Sequence, residues 1–312
     1  MKPTAFLFNV ACGGVVDEAA LAAALAAGTI GGAAVDVFAI EPPAADNPLL
    51  GAPNTVLTPH LGASTAEAQV AVAEEASQQV LDILDGRPAR YAVNAPLLTP
   101  ETARAIAPYL PLAETLGRFF AQFSRGGVEE VTLEVAGELA AHDVSPLQAA
   151  VLRGLLADVT NERVNLVNAA ILAKARGLTL VERRTPDAGT FATLVTISGT
   201  AADGTVRTVA GTLANGEPRF VRLDDYWLDV APAPWVLVSL HTDRPGMIGR
   251  VGSLLGAADV NISAMHLGRA APRSDAVMFL ALDDPVPAET AAAIRSIDGV
   301  LDQWVIDLEP IA

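Results

Sequence analysis

Asn9-Val10-Ala11-Cys12-Gly13-Gly14-Val15-Val16-Asp17-Glu18 joins a short apolar run, Ala5 to Ala11, to a helical pattern, Asp17 to Ala27. A strand that passes through a glycine pair into a helix opens a βαβ unit. The pattern continues outward, because Gly32 to Phe38 and Thr55 to Thr58 are again short, apolar and bounded by turn residues. Near-continuous apolar runs of this kind suit parallel strands buried on both faces. A long helix is expected next, capped by Ser64 with Glu67 as its capping-box partner and stopped by Gly86-Arg87-Pro88. Its residues Val70, Ala73, Ala76, Val80, Leu81 and Leu84 fall near the helical period, which predicts one buried stripe covering the sheet.

Composition narrows the function classes. Hydrophobic residues make up 51% of the 312-residue chain and charged ones 18%, a balance that supports two or three globular domains. The net charge of −16 repels phosphate backbones and anionic membranes, so nucleic acid and membrane surfaces are not expected partners. One cysteine cannot form an internal disulfide, and a reducing cytoplasm is the expected compartment. Asn9 interrupts the short apolar start, which argues against a signal peptide. The uncharged stretch Ala19 to Val35 is mostly alanine, with Gly28, Gly31 and Gly32 inside, and does not read as a membrane span.

Proline density rises at Asn94-Ala95-Pro96-Leu97-Leu98-Thr99-Pro100 and again at Ala231-Pro232-Ala233-Pro234, which places boundaries there and divides the chain into 1–95, 96–232 and 233–312. The middle segment reads as α+β. Helices are expected at Pro108 to Phe123, Pro146 to Asp158 and Val164 to Arg176, and strands at Val128 to Val135, Thr179 to Arg184, Phe191 to Ser198, Thr205 to Leu213 and Arg219 to Leu223. Ala202-Asp203-Gly204 and Ala214-Asn215-Gly216 are hairpin turns. The last segment runs strand Trp235 to His241, helix Met247 to Ala257, strands Asn261 to Leu267 and Ala276 to Leu282, helix Ala288 to Ser296 and strand Val300 to Leu308. That order, βαββαβ, is ferredoxin-like.

Of the four histidines, His142 and His266 have no partner at a telling spacing and read as structural or surface residues. His60 follows a predicted parallel strand, at the carboxyl end where open α/β sheets place their ligands.

Asn9 to Glu18, then Asp36-Val37-Phe38 with Glu41-Pro42, then Thr58-Pro59-His60-Leu61-Gly62-Ala63, resemble in order and spacing the later part of the nucleotide-binding region of D-2-hydroxyacid dehydrogenases. Gly154-Leu155-Leu156, Val164 to Ala169 and Gly211-Thr212-Leu213 are similar to the intervening domain of the long phosphoglycerate dehydrogenase branch of that family. His241-Thr242-Asp243-Arg244-Pro245-Gly246-Met247-Ile248-Gly249, with Val260-Asn261-Ile262-Ser263, resembles the ACT domain. The resemblance implies a partial Rossmann segment, an intervening domain and an ACT domain. It implies NAD as cofactor and, as the family reaction, oxidation of 3-phosphoglycerate to 3-phosphohydroxypyruvate in L-serine biosynthesis.

By the same resemblance His60 exchanges the proton of the substrate hydroxyl and Glu41 keeps it protonatable, a task that needs a group titrating near neutrality beside a carboxylate. Asp36, Gly62 and Ala11 are the implied cofactor contacts, and no metal is implied. Cys12 stands where the family has an arginine, whose planar, charged fork a thiol cannot replace. No Gly-x-Gly-x-x-Gly occurs in the chain, and only eight residues precede Asn9. The expectation is therefore a chain lacking the family's front half and inactive alone, with one bare sheet edge or face. The ACT resemblance implies L-serine at a subunit interface, held by His241, Asp243, Gly246 and Asn261, and association as a homo-oligomer or with full-length dehydrogenase. The alternative is a stand-alone serine-binding regulatory or decoy subunit.

Overall fold

Asp17 accepts the amide of Ala20 at 2.9 Å and starts helix α1, Glu18–Ala26, which turns Leu21, Ala22 and Leu25 inward. In the computed structural model these side chains close over Ile30, Ala33, Val35, Phe38 and Leu49, the core of a first compact unit, residues 1–91. Its sheet is parallel, in the order β1 (Phe6–Asn9), β2 (Gly32–Val35) and β3 (Thr55–Leu57). The structure describes residues 1–84, 91, 98–157, 159–160, 162, 164–165, 167–201, 203–269, 271 and 273–309. The boundary residues Asn94 to Leu97 and the helix stop Gly86-Arg87-Pro88 lie outside them.

Helix α2, Ala66–Leu84, forms as expected, but the cap moves by one residue. Thr65 accepts the Ala68 amide at 3.2 Å, while Ser64 donates its hydroxyl to the His60 carbonyl at 3.2 Å. Glu67 is thus one position short of the third helical residue that a capping box requires. The expected buried stripe is also corrected: Val70, Val80 and Leu81 are exposed, and α2 does not cover this unit's sheet. The expectation of a bare edge or face on the strands Ala5 to Ala11 and Gly32 to Phe38 holds for the first, whose Phe6 (61% exposed) and Phe8 (73%) are bare, and is corrected for the second, because β2 is the central strand and is largely buried.

The second unit, residues 92–312, holds two sheets. Thr99 caps α3 (Pro100–Ile106) through the Thr102 amide at 3.2 Å, a helix the linker reading missed. Helices α4 (Leu110–Phe123), α5 (Ser145–Leu156) and α6 (Ala169–Ala175) accompany six strands: β4 (Glu130–Gly137), β5 (Thr179–Thr185), β6 (Thr193–Thr200), β7 (Val206–Ala214), β8 (Glu217–Leu223) and β9 (Tyr226–Val230). Their order is β5-β4-β6-β7-β8-β9, antiparallel except for β4 against β5. Asn215 and Gly216, with φ of 53° and 84°, make the predicted hairpin turn between β7 and β8.

Strands β10 (Trp235–Thr242), β11 (Ile262–Arg269), β12 (Asp275–Leu282) and β13 (Val300–Asp307), with α7 (Met247–Ala257) and α8 (Ala288–Arg295), form the predicted βαββαβ element. The sheet order is β11-β12-β10-β13, all antiparallel.

One core crosses the Pro232-Ala233-Pro234 connection. Phe119 of α4 lies 5.0 Å from Phe220 and 5.9 Å from Phe279, and Phe123 lies 4.8 Å from Trp304. Gln122 adds a strand-like pairing: its side chain accepts the Asp307 amide at 2.9 Å and donates to the Asp307 carbonyl at 2.7 Å. Arg125 pairs with Asp302 at 2.5 Å beside these contacts, so α4 is bolted along β13.

Candidate active site and effector pocket

The loops leaving β2 and β3 are tied together by one carboxylate. Asp36, only 4% exposed, accepts the Thr58 hydroxyl at 2.5 Å, the Leu61 amide at 2.8 Å and the Gly62 amide at 2.7 Å. Its own carbonyl accepts the His60 amide at 2.9 Å, and its amide donates to the Asn9 carbonyl at 2.9 Å. The Thr58 hydroxyl, then the two amides, hold the Asp36 carboxyl below its ordinary value of 3.8. This lashing keeps His60 at φ 56°, a backbone region costly for a residue with a Cβ.

His60 Nδ1 meets Glu41 Oε2 at 2.8 Å, and the other Glu41 oxygen accepts the Phe38 amide at 3.0 Å. The hydrogen bond to Glu41, reinforced by its charge, raises the imidazole above 6.5. The imidazole and then the Phe38 amide lower Glu41 below 4.5. Among the described residues His60 Nε2 has no hydrogen-bond partner, and it borders an open pocket of about 440 Å³ lined by Phe38, Glu41, Pro42, Leu57 and Pro59. The arrangement is a carboxylate-oriented imidazole with its outer nitrogen free for proton exchange.

Asn9 turns the chain after β1, accepting the Ala11 amide and donating to the Cys12 carbonyl, both at 3.3 Å. Cys12 is exposed, and among the described residues no arginine or lysine lines the pocket beside His60. Gly13 is required by a close approach: a Cβ there would lie 2.0 Å from the Phe38 carbonyl oxygen.

A second pocket, about 400 Å³, opens where β10 enters α7. Gly246, at φ 88°, stands at the start of α7, whose first amides and dipole favour an anion. His241 is 2% exposed and its Nδ1 faces the Ser239 carbonyl at 3.3 Å. Burial lowers its pKa, which favours the neutral ring, and the Ser239 carbonyl faces Nδ1 as an acceptor. Asp243 accepts Arg269 Nη1 at 2.7 Å and the Arg273 amide at 3.3 Å, which lowers its carboxyl. Asn261 lies at the other end of α7, its side-chain amide on Asp283 at 2.5 Å. Three of the four expected effector residues thus share one pocket in the chain. Arg269 and Arg273 join them without having been singled out, because only the register His241↔Ala276↔Arg269 across β12 aligns that strand end with β10.

Family comparisons cover the same three segments. Residues 1–62 match the D-isomer specific 2-hydroxyacid dehydrogenase NAD binding domain, residues 105–224 the D-3-phosphoglycerate dehydrogenase intervening domain, and residues 235–299 the ACT domain. D-3-phosphoglycerate dehydrogenase of Synechocystis is 43% identical over 309 residues, 99% of this chain and 56% of the relative. The enzyme of Methanocaldococcus jannaschii is 39% identical over 308 residues, 99% and 58% of the two chains. The chain belongs to the D-3-phosphoglycerate dehydrogenase family. It spans a little more than half the length of these relatives. A solved D-isomer specific 2-hydroxyacid dehydrogenase from Xanthobacter autotrophicus, in complex with NADPH and MES, is 41% identical over 29% of each chain, with a TM-score of 0.25.

Within this family frame, Ala11, Cys12, Asp36, Glu41, His60 and Gly62 all fall in the segment matched to the NAD binding domain, and His241, Asp243, Gly246 and Asn261 in the ACT match. No helix of the described residues is long and apolar enough to cross a membrane.

Proposed function

We propose that this chain carries the acid–base pair and the regulatory segment of an NAD-linked oxidation of 3-phosphoglycerate to 3-phosphohydroxypyruvate, serving L-serine biosynthesis in the cytoplasm. The observation that carries the reading is the 2.8 Å contact of His60 Nδ1 with Glu41, in a residue that lines the pocket and whose Nε2 has no hydrogen-bond partner among the described residues. In this reading residues 1–95 belong to the catalytic domain, 96–232 to the intervening domain and 233–312 to the ACT domain.

His60 Nε2 takes the proton from the substrate's 2-hydroxyl, and Glu41 stabilises the imidazolium so formed. NAD, when bound, supplies the acceptor for the hydride that leaves the same carbon. Ala11, Asp36 and Gly62 would flank its nicotinamide end. The fit at this end is partial: both Asp36 oxygens already accept hydrogen bonds inside the protein.

For regulation the ligand is L-serine. His241 Nε2 accepts from its ammonium or hydroxyl, Asp243 attracts the ammonium, and the α7 amides with Arg269 and Arg273 face its carboxylate. Asn261, at the far end of α7, would join only from a second copy, which makes a homo-oligomer or a complex with another dehydrogenase chain part of the reading.

The test is NADH formation from 3-phosphoglycerate by the chain, with His60→Gln as the control. Turnover that vanishes in the variant supports the reading, and turnover untouched by it refutes the role of His60. Cys12 at the place of the family arginine favours a second reading, a serine-binding regulatory subunit without its own turnover. Absent turnover, calorimetric binding of L-serine lost in Asp243→Ala supports that reading. Absence of any serine binding removes it.

A further inference from the structure

Glu41 sits on a poor support. The segment from Ala39 to Asn47 has no strand or helix, contains Pro42 and Pro43, and is largely exposed. A carboxylate that must hold an imidazole needs its backbone fixed from elsewhere, because placement errors of an ångström weaken a catalytic hydrogen bond. One side chain supplies that fixation. Glu18, in the first turn of α1, accepts the Ala39 amide on Oε1 at 2.6 Å and the Asn47 side-chain amide on Oε2 at 2.6 Å. It therefore ties both ends of the loop to one point of the helix. Asn47 carries the connection into the core, since its side-chain oxygen accepts the amide of Leu49, which is fully buried.

The contacts continue to the reacting group. The Ala39 nitrogen belongs to the peptide whose carbonyl, that of Phe38, abuts Gly13, so this peptide lies between Gly13 of the β1–α1 connection on one side and Glu18 of α1 on the other. The preceding peptide supplies the Phe38 amide that binds Glu41 Oε1 at 3.0 Å, and Glu41 Oε2 meets His60. The negative charge of Glu18 is itself favoured by its place at the amino end of α1. Bonds of an amide to a carboxylate at this distance are charge-assisted and roughly twice as strong as neutral ones.

The geometry points to Glu18 as a positioning residue for the Glu41–His60 pair, acting through the Ala39 peptide and Asn47. This rests on the acid–base reading above, and the test separates the two. The His60 imidazole is titrated by NMR in the full chain, its signal assigned by its loss in His60→Gln. Glu18→Gln keeps the size of the side chain but sets an NH2 group against one of the two donors. The midpoint of His60, raised above 6.5 in the parent by the Glu41 contact, should move back toward 6.5 in this variant. Asn47→Ala, which spares the Ala39 bond, should move it less in the same direction. Leu21→Ala, which removes packing under α1 but touches neither bond, should lower stability and leave the midpoint in place. Glu18→Gln and Asn47→Ala that fold with the parent midpoint overturn the proposal. A parent midpoint at or below 6.5 overturns the Glu41–His60 pair itself, and the proposal with it.

Discussion

Phe279 lies in β12, yet its fully buried ring sits 5.9 Å from Phe119 of α4 and 5.4 Å from Phe220 of β8, on the other side of the Pro232-Ala233-Pro234 connection. Truncating a core phenylalanine to alanine costs about 3–5 kcal/mol. Of this, roughly 1–3 kcal/mol belongs to the two ring pairs, at about 0.5–1.5 kcal/mol each. For a unit of this size each kcal/mol lowers Tm by about 2–4 °C, so Phe279→Ala should melt about 6–20 °C below the parent. The decisive readout is which amides lose protection. Native-state hydrogen exchange should show Val209 and Leu223, in the six-stranded sheet, weakened together with Val238 and Ile306, in the four-stranded one, because all four belong to one continuous core. Loss confined to β10–β13, with β7 and β8 protected as in the parent, would show two separately unfolding sheets and refute the shared core.

Thr65→Ala should cost about 1 kcal/mol in urea unfolding through the lost cap of α2, whereas Ser64→Ala stays within about 0.5 kcal/mol; the reverse ranking would restore the cap to Ser64. Asp36, held below 3.8, contributes stability that is present above that value and disappears as pH falls through its folded pKa, so Asp36→Asn should flatten the acid limb of the stability curve below about pH 4. The Glu41–His60 pair contributes where both groups are charged. His60, raised above 6.5, gives a term complete below 6.5 and lost as pH rises through its folded pKa; Glu41, lowered below 4.5, gives one complete above 4.5 and lost as pH falls through its folded pKa. Urea midpoints of parent and Glu41→Gln should therefore differ most between pH 4.5 and 6.5, and a difference that grows above pH 8 would contradict the pairing.

What the sequence conveys tracks how local the determinant is. Helix α7 lies where it was expected, Met247–Ala257, because Pro245-Gly246 opens it and Ala258-Asp259 closes it within a few residues. The apolar stripe on α2 is helical, as its period implies, but exposed rather than buried. A period of 3.6 reports that one face is apolar, and whether a sheet reaches that face depends on topology. Strand β9 escaped because it follows Asp224-Asp225 and pairs with β8 through an irregular ladder, Phe220↔Val230 then Arg222↔Trp227, that no alternation announces. The His60–Glu41 contact was implied by the resemblance to D-2-hydroxyacid dehydrogenases, and the structure brings the two together at 2.8 Å from loops leaving adjacent parallel strands.

The cationic wall of the second pocket was not legible, and the register explains why. Arg269 and His241 are 28 positions apart in the chain and become neighbours only because each pairs with Ala276, from opposite sides of β12. Residues directly opposite in an antiparallel sheet project to the same face, so His241, Ala276 and Arg269 lie in one row on one face. Ala276 is buried between them, and Arg269 reaches Asp243 at 2.7 Å from the far strand. The cationic side of this pocket is thus set by the register of β10, β12 and β11, which no local pattern of the sequence conveys.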